Sequence, residues 1–211
     1  MKKINNFLDW ENIEEVNAFS QNMFLKLLCD KVLLKSQFQN VLNDNHLFSL
    51  CEHYDILDKI VIYDDPINEY RIRLHLFLPG YIDRPHNHRW TYSSYIIKGF
   101  YKHFIYGSES QFDKTNIKNL KPTMIRNEYE GSSYTLHHTL VHSIVAEPYT
   151  VSIVLRGPAV KDKFFIYDKS TKKFWHQFGA QHESKEEKLK KVMTKKRFQF
   201  IYRKLHEIEV I

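Results

Sequence analysis

The sequence has little cysteine and no long apolar run. Only Cys29 and Cys51 are present among 211 residues, which is too few for a disulfide framework and is typical of a reducing compartment. No stretch reaches the roughly 20 apolar residues that a membrane helix requires. The Lys-Lys start leads into Ile-Asn-Asn rather than into the apolar core of an export signal. We therefore expect a cytoplasmic protein with no membrane partner.

Internal repeats, linkers and low-complexity tracts are also absent from the sequence. With 43% apolar and 15% aromatic residues, the chain is able to bury one substantial core. We predict a single domain over residues 1–211, and the sequence leaves open whether it forms a homodimer. Its predicted parts are a helical N-terminal cover (1–57), a β-barrel (58–180) and a C-terminal helix (181–211).

The net charge of +6 raises the question of nucleic-acid binding. Much of the excess lies between Lys185 and Lys204, where basic residues alternate with apolar ones. This pattern indicates the solvated face of a C-terminal helix, so nucleic acid is not an expected partner. Steeply salt-dependent binding would be the sign of the nucleic-acid alternative.

The hydrophobic pattern changes its period along the chain. Apolar residues recur at helical intervals from residue 7 to about 57, with Asp9 as a candidate N-cap and separate helices expected near Ser36 and over 47–57. From Lys59 the alternation has period two, and it indicates short strands over 59–63, 70–79, 150–156 and 164–167. Strands are also expected over 95–106, on both sides of a turn near Gly99, and over 134–145, as one or two strands. Strands at this spacing predict an antiparallel sandwich or barrel.

His86 and His88 form the clearest chemical signal. Two histidines two residues apart on an extended segment project from the same face, which is the geometry of a metal chelate. Neutral imidazoles suit zinc, copper, iron and nickel. A third ligand is expected from the later strands, around residues 134–145.

The spacing around these histidines resembles the first motif of the cupin superfamily. That motif has a glycine, five residues, His-x-His, three or four residues, a glutamate, six residues and a glycine. The sequence gives Gly80, His86, His88, Tyr92 and Gly99 at these positions, so Tyr92 stands where the family usually has a glutamate ligand.

The second cupin motif is matched at its anchors. Gly131 and His142 stand at the positions of its first glycine and its histidine, whereas His137, Thr139 and Ala146 replace the proline, the second glycine and the asparagine. Together the two motifs cover residues 80–146. The resemblance implies a mainly β fold, the double-stranded β-helix or jelly-roll barrel of cupins, with helices at both ends.

By the same resemblance, the metal ligands are His86, His88 and His142. His137 and His138 are alternatives for the third position, because His138 is an even step from His142 along a strand. A set of three neutral histidines leaves the full divalent charge on the metal. Such a site should attract an anionic substrate group or bind O2 beside the substrate, and its open positions favour catalysis.

Three histidines without the glutamate resemble the thiol dioxygenase branch, typified by cysteine dioxygenase. This likeness implies Fe(II), with Zn, Ni or Mn as other candidates, and an oxygenase that oxidises a small amino acid or thiol carboxylate with O2. The segments 147–153 and 157–171 are similar to the last strands of that branch, although Tyr92 excludes its cysteine-tyrosine crosslink. The alternative is a metal-binding cupin without redox chemistry, such as an isomerase, a lyase or a ligand sensor.

Four further residues are predicted to act on the substrate. Trp90 and Tyr92 share strand parity with His88, and Tyr92 is the candidate catalytic hydrogen-bond donor. Arg73 and Arg156 are candidates for fork-like binding of a carboxylate. Neither arginine belongs to a recognised motif.

Overall fold

The computed structural model describes residues 8–211, and its N-terminal part is helical. Three helices come first: α1 (Ile13–Leu28), α2 (Lys31–Asn40) and α3 (Asn45–Ser49). Each begins after an Asn or Asp whose side chain accepts hydrogen bonds from backbone N–H groups of the first turn, namely Asn12, Asp30 and Asp44. Helix α1 is therefore capped by Asn12 and not by the predicted Asp9.

The helical region ends earlier than predicted. Strands β1 (Glu52–Tyr54) and β2 (Leu57–Asp65) occupy most of the segment after α3, so the prediction of helix over 47–57 is wrong from residue 52 onward. The two strands pair as a tight antiparallel hairpin in which Tyr54 lies opposite Leu57. Pairing with a larger sheet outweighs the helical spacing of the apolar residues here.

Nine more strands follow. They are β3 (Tyr70–Phe77), β4 (Tyr92–Lys98), β5 (Phe100–Ser108), β6 (Met124–Tyr129), β7 (Ser133–Leu136), β8 (Leu140–Ala146), β9 (Val151–Arg156), β10 (Lys163–Asp168) and β11 (Lys173–Phe178). The strands predicted from alternation are confirmed. Strands β6 and β11 were not predicted, because they are exposed along most of their length and lack an apolar alternation.

The strands form two facing sheets. One has the order β1-β2-β3-β9-β4-β7 and the other the order β6-β5-β8, with β10-β11 as a separate hairpin. The segment 82–88 lies beside β8, because His86 bridges both His142 and Ile166. From β3 to β9 the chain crosses repeatedly between the sheets, which is the jelly-roll arrangement of cupin barrels. The predicted fold class is confirmed.

The largest hydrophobic core lies outside the barrel. It joins the N-terminal helices, one face of the six-stranded sheet and the C-terminal region. That region contains two helices rather than the single predicted one, α4 (Lys185–Lys190) and α5 (Lys195–Glu207), because Thr194 interrupts the helix and caps α5. Phe198 of α5 packs on Phe38 with ring centroids 4.6 Å apart. Within residues 8–211, no helix is long and apolar enough to cross a membrane.

Candidate metal centre and its cavity

His86, His88 and His142 meet at one end of the barrel interior. The backbone N–H groups of His86 and His142 each donate to the carbonyl of the other residue, at 2.9 and 2.8 Å, which fixes the two segments side by side. One ring nitrogen of each of the three histidines lies within 4.8 Å of the other two. The Nε2 atoms of His88 and His142 are 2.8 Å apart. The three side chains thus form a group that suits a transition metal.

The remaining ring nitrogens have partners that orient the imidazoles. His86 Nδ1 lies 2.8 Å from the carbonyl oxygen of Arg84, so it carries the proton and leaves Nε2 free for a metal. His142 Nδ1 lies 2.9 Å from Nε2 of His103. If His142 donates there, its Nε2 is likewise free. The hydrogen bonds therefore favour the same ligand atom on both histidines.

The other ring nitrogen of His103 faces an acidic residue, Glu128. Its Nδ1 lies 3.5 Å from an oxygen of Glu128, which is an ion-pair distance and too long for a strong hydrogen bond. Both side chains are almost fully buried. The sequence alone assigns no role to His103. The signal that it faces the site is positional, because Ile105, two residues along the same strand, lies opposite His142.

Burial keeps the histidines in the form that binds metals. The pKa values of His88 and His142 lie well below the ordinary value for histidine, because burial disfavours the cation and the charge of His86 adds to this. Imidazoles that stay neutral keep a lone pair for coordination. The donor set therefore fits a divalent transition metal, and these three residues would hold it.

The residue between the first two histidines anchors them to the barrel wall. Asn87 is fully buried, and its side-chain oxygen accepts a hydrogen bond from the backbone N–H of Phe165 at 2.9 Å. Its amide nitrogen donates to the Glu109 carboxylate, which Lys161 holds at 2.7 Å. Both ends of the asparagine are thus fixed, which restricts the directions of His86 and His88.

Two predicted site residues, Trp90 and Tyr92, contact this group directly. Trp90 stacks on His88 with ring centroids 4.6 Å apart. The hydroxyl of Tyr92 lies 3.3 Å from Nε2 of His142. Burial, with Tyr134 nearby, raises the pKa of Tyr92 well above its ordinary value, so the phenol remains a hydrogen-bond donor. Their roles in catalysis and binding remain predictions.

The alternative third ligands, His137 and His138, lie elsewhere. Their Nε2 atoms contact the carboxylate of Glu11 at 2.9 and 3.2 Å, and the three residues form a separate group. The even step between His138 and His142 does not bring them to one face, because residues 137–139 form a turn before β8 begins. The structure thus places His142, and neither alternative, beside His86 and His88.

A cavity of about 530 Å³ opens beside the three histidines, and an inner one of about 100 Å³ adjoins them. Arg73 lines both cavities, whereas Arg156 lines the larger one only. Both candidate carboxylate-binding arginines therefore face the same space as His86 and His88. Five other cations of this wall were not predicted from the sequence, namely Lys59, Arg71, Arg84, Arg89 and Lys191.

No family model matches the sequence, and no curated protein matches it. Among solved structures, KdgF from Halomonas sp. is 19% identical over 50% of this chain and 82% of its own, with a TM-score of 0.39. An RmlC-like cupin from Shewanella frigidimarina is 18% identical over 53% of this chain and 86% of its own, with a TM-score of 0.40. Ectoine synthase from P. lautus is 9% identical over 57% and 75%, with a TM-score of 0.42. Since these scores are below 0.5, the description of the fold depends on the strand order given above.

Proposed function

We propose that the protein is an Fe(II)-dependent oxygenase that oxidises a small amino acid or thiol carboxylate with O2. The observation that carries this proposal is the group of three histidine side chains with no carboxylate among them, set in the wall of a cationic cavity. Neutral ligands leave the charge of a divalent ion uncompensated, which favours an anionic substrate beside it. The same group would also accept Zn, Ni or Mn.

Each residue has a distinct part in this proposal. Ferrous iron supplies the activation of O2, and His86, His88 and His142 would hold it. Arg73 and Arg156 bind carboxylate groups of the substrate through charge-assisted hydrogen bonds. Tyr92 donates its phenolic proton in a hydrogen bond toward the substrate and keeps that proton. For a thiol, both oxygen atoms of O2 end in a sulfinate, so no external reductant is consumed.

Oxygen uptake tests the activity. The protein is purified anaerobically, loaded with Fe(II), and supplied with a panel of amino acids and thiol carboxylates in an oxygen electrode. We expect uptake that matches product formation one to one for at least one compound. No uptake with any of them, together with tight binding of zinc or nickel, would replace this proposal by a non-redox role as an isomerase, a lyase or a ligand sensor.

Metal content tests the ligand assignment separately. His86→Ala, His88→Ala and His142→Ala should each lose bound iron, because each removes one of three protein ligands. His137→Ala is the matched control and should retain it, since its imidazole contacts Glu11 instead. Full iron content in His142→Ala would refute the assignment.

Tyr92 is tested by removing only its hydroxyl. Tyr92→Phe should keep the iron and lower the turnover, because the ring still packs between Trp90 and Tyr134 while the donor is lost. Iron analysis and oxygen uptake on the same sample separate the two effects. Loss of iron would show that Tyr92 is a ligand.

A further inference from the structure

The cavity wall carries arginines at two levels along paired strands. In the pairing of β3 with β9, Arg71 lies opposite Arg156, and Arg73 lies opposite Val154. Tyr92 of β4 also lies opposite Arg156. Residues that pair directly project to the same face of a sheet, so the three arginines share the interior face with Tyr92. Like charges that lie opposite each other on paired strands are destabilising. The pairing of Arg71 with Arg156 on the interior face is therefore unfavourable for the fold.

Two of these arginines lack a counter-ion. Arg71 is paired with Asp64 at 2.7 Å. Arg73 and Arg156 have no ion pair in the described part of the chain, and the Nε atom of each is buried without a hydrogen-bond partner. Burial, with the charges of Arg73 and Arg71, lowers the pKa of Arg156 to about 9. A buried N–H group without a hydrogen-bond partner is costly, so a ligand that accepts these bonds is favoured.

The acidic residues of the wall are outnumbered by its cations, so they neutralise this charge only in part. Glu52 lies 2.7 Å from Lys191, which also binds Glu183. Burial acts to raise the pKa of Glu52, yet the charges of Lys59 and Arg73 hold it at about 2. The carboxylate of Glu52 therefore balances only part of the charge of Lys59, Arg73 and Lys191. Lys59, which is buried opposite His75, is left with no ion pair among residues 8–211.

Arg89 adds a second unpaired guanidinium near the opening. Its Nε and Nη1 atoms are buried without hydrogen-bond partners. A Cβ atom built on Gly179 would lie 1.2 Å from Nη1, so the absence of a side chain there leaves the space for the guanidinium. Arg89 and Arg156 line the outer cavity only, whereas Arg73 and Lys59 line both cavities. The free cations thus form an outer pair and an inner pair.

Two further charged residues, Asp83 and Arg84, line the larger cavity. Asp83 lies 3.4 Å from His86 and makes no ion pair with the four free cations in the described part of the chain. Arg84 is paired with Asp168 at 3.0 Å. Neither residue alters the excess of free cations at the two levels.

We propose that the substrate is a short diacid. One acid group binds Arg156 and Arg89 at the outer level, and the other binds Arg73 and Lys59 at the inner level. Positions two residues apart on a strand are separated by about 6.6 Å, which suits two carboxylates at the ends of a chain of about five carbons. This inference depends on the proposed function only in taking the cavity as the substrate site.

Calorimetric titration of the metal-free protein with glutarate and valerate tests the proposal. The two acids have the same carbon chain and differ in one carboxylate, and removing the metal excludes its contribution to binding. We expect glutarate to bind at least tenfold more tightly than valerate. Arg73→Gln and Arg156→Gln should each weaken glutarate binding at least tenfold. Arg84→Gln, a cation of the same wall that is already paired, should change it less than twofold.

Equal affinity for the two acids, or full glutarate affinity in both arginine variants, would overturn the proposal. Circular dichroism checks that each variant is folded, and Arg73→Lys, which keeps the charge, should bind glutarate more tightly than Arg73→Gln. Glutarate binding, together with no oxygen uptake by the iron-loaded enzyme with any amino acid or thiol carboxylate of the panel, would refute the oxygenase and leave the diacid site in place. Oxygen uptake with a monoacid, together with no preference for diacids, would support the oxygenase and refute the diacid site.

Discussion

At the scale of single residues, His103 decides how His142 is presented. It contacts the ring nitrogen of His142 that faces away from the other two histidines, and it lies between His142 and Glu128. Partners of this kind fix the tautomer and direction of a ligating imidazole. Its contribution is therefore to metal affinity rather than to substrate binding.

Removing this partner should weaken the metal centre. We expect His103→Ala to lower the affinity for Fe(II) or Zn(II) by about 10–100-fold, as loss of an orienting partner typically does. Competition with a chromophoric chelator measures this affinity. His75→Ala is the matched control, because His75 lines the inner cavity but has no hydrogen bond to a ligand. An unchanged affinity in His103→Ala would contradict the prediction.

Arg73 illustrates a residue that is costly to the fold. It is a buried charge without a salt bridge, and burial lowers its pKa. Removing a charge from water without a partner is costly, so a neutral side chain at this position avoids that desolvation penalty. We therefore expect Arg73→Gln to raise the melting temperature of the ligand-free protein. Thermal unfolding followed by circular dichroism measures the shift, and a clear decrease would show that Arg73 supports the fold.

The sequence predicts the centre of the site better than its surroundings. His86 and His88 follow from strand parity, and His142 follows from the cupin motif. His103, Lys59 and Arg89 do not. His103 reaches the site only through the pairing of β5 with β8. Arg89 lies outside the strands, so strand parity says nothing of it. A single histidine or lysine on a strand carries no local sign of which face will enclose a cavity.

At the scale of elements, the strands that the sequence predicts are those in which buried and exposed residues alternate regularly. Alternating strands such as β3 and β9 have one apolar face and one polar face, so their pattern is visible in the sequence. Strands β6 and β11 are exposed along most of their length, so they have no apolar alternation to detect. Strand β1 is only three residues long, and it is a strand because it pairs with β2. The C-terminal break at Thr194 depends on a capping hydrogen bond, which a broad apolar period does not reveal.

The two C-terminal helices should differ sharply in their effect on stability. Phe198 of α5 is fully buried, whereas Leu189 of α4 is 72% exposed. We expect Phe198→Ala to lower the free energy of unfolding by about 3–5 kcal/mol, because it leaves a cavity in the main core. Leu189→Ala, the matched control, should change it by less than about 0.5 kcal/mol. Urea unfolding measures both, and similar effects would contradict the packing described here.

At the scale of the whole molecule, one cysteine reports on the integrity of the main core. Cys51 is buried in that core, and burial raises the pKa of its thiol to about 11, whereas Cys29 is exposed. The thiolate is the reactive form of cysteine. Cys51 is therefore protected from alkylation because reagents cannot reach it and because its thiol stays protonated. Its reaction requires the core to open.

Alkylation at pH 8 should therefore distinguish the two thiols. We expect iodoacetamide to modify Cys29 within minutes in the native protein and to modify both thiols in concentrated urea. Mass spectrometry of the intact chain counts the additions. The Cys29→Ser variant provides the control, since it should take up no label until it is unfolded. Rapid double labelling of the native protein would show that the core is open.

The packing of α5 against α2 and α3 has a consequence for biosynthesis. The helices that are made first bury their apolar faces against a helix that is made after the entire barrel, through contacts such as Phe38 with Phe198 and Lys31 with the carbonyl of Glu209. A nascent chain on the ribosome therefore holds an uncovered hydrophobic surface until α5 has left the exit tunnel. Such surfaces recruit chaperones and promote aggregation, so synthesis of this protein should depend on a holding chaperone more than its modest size suggests.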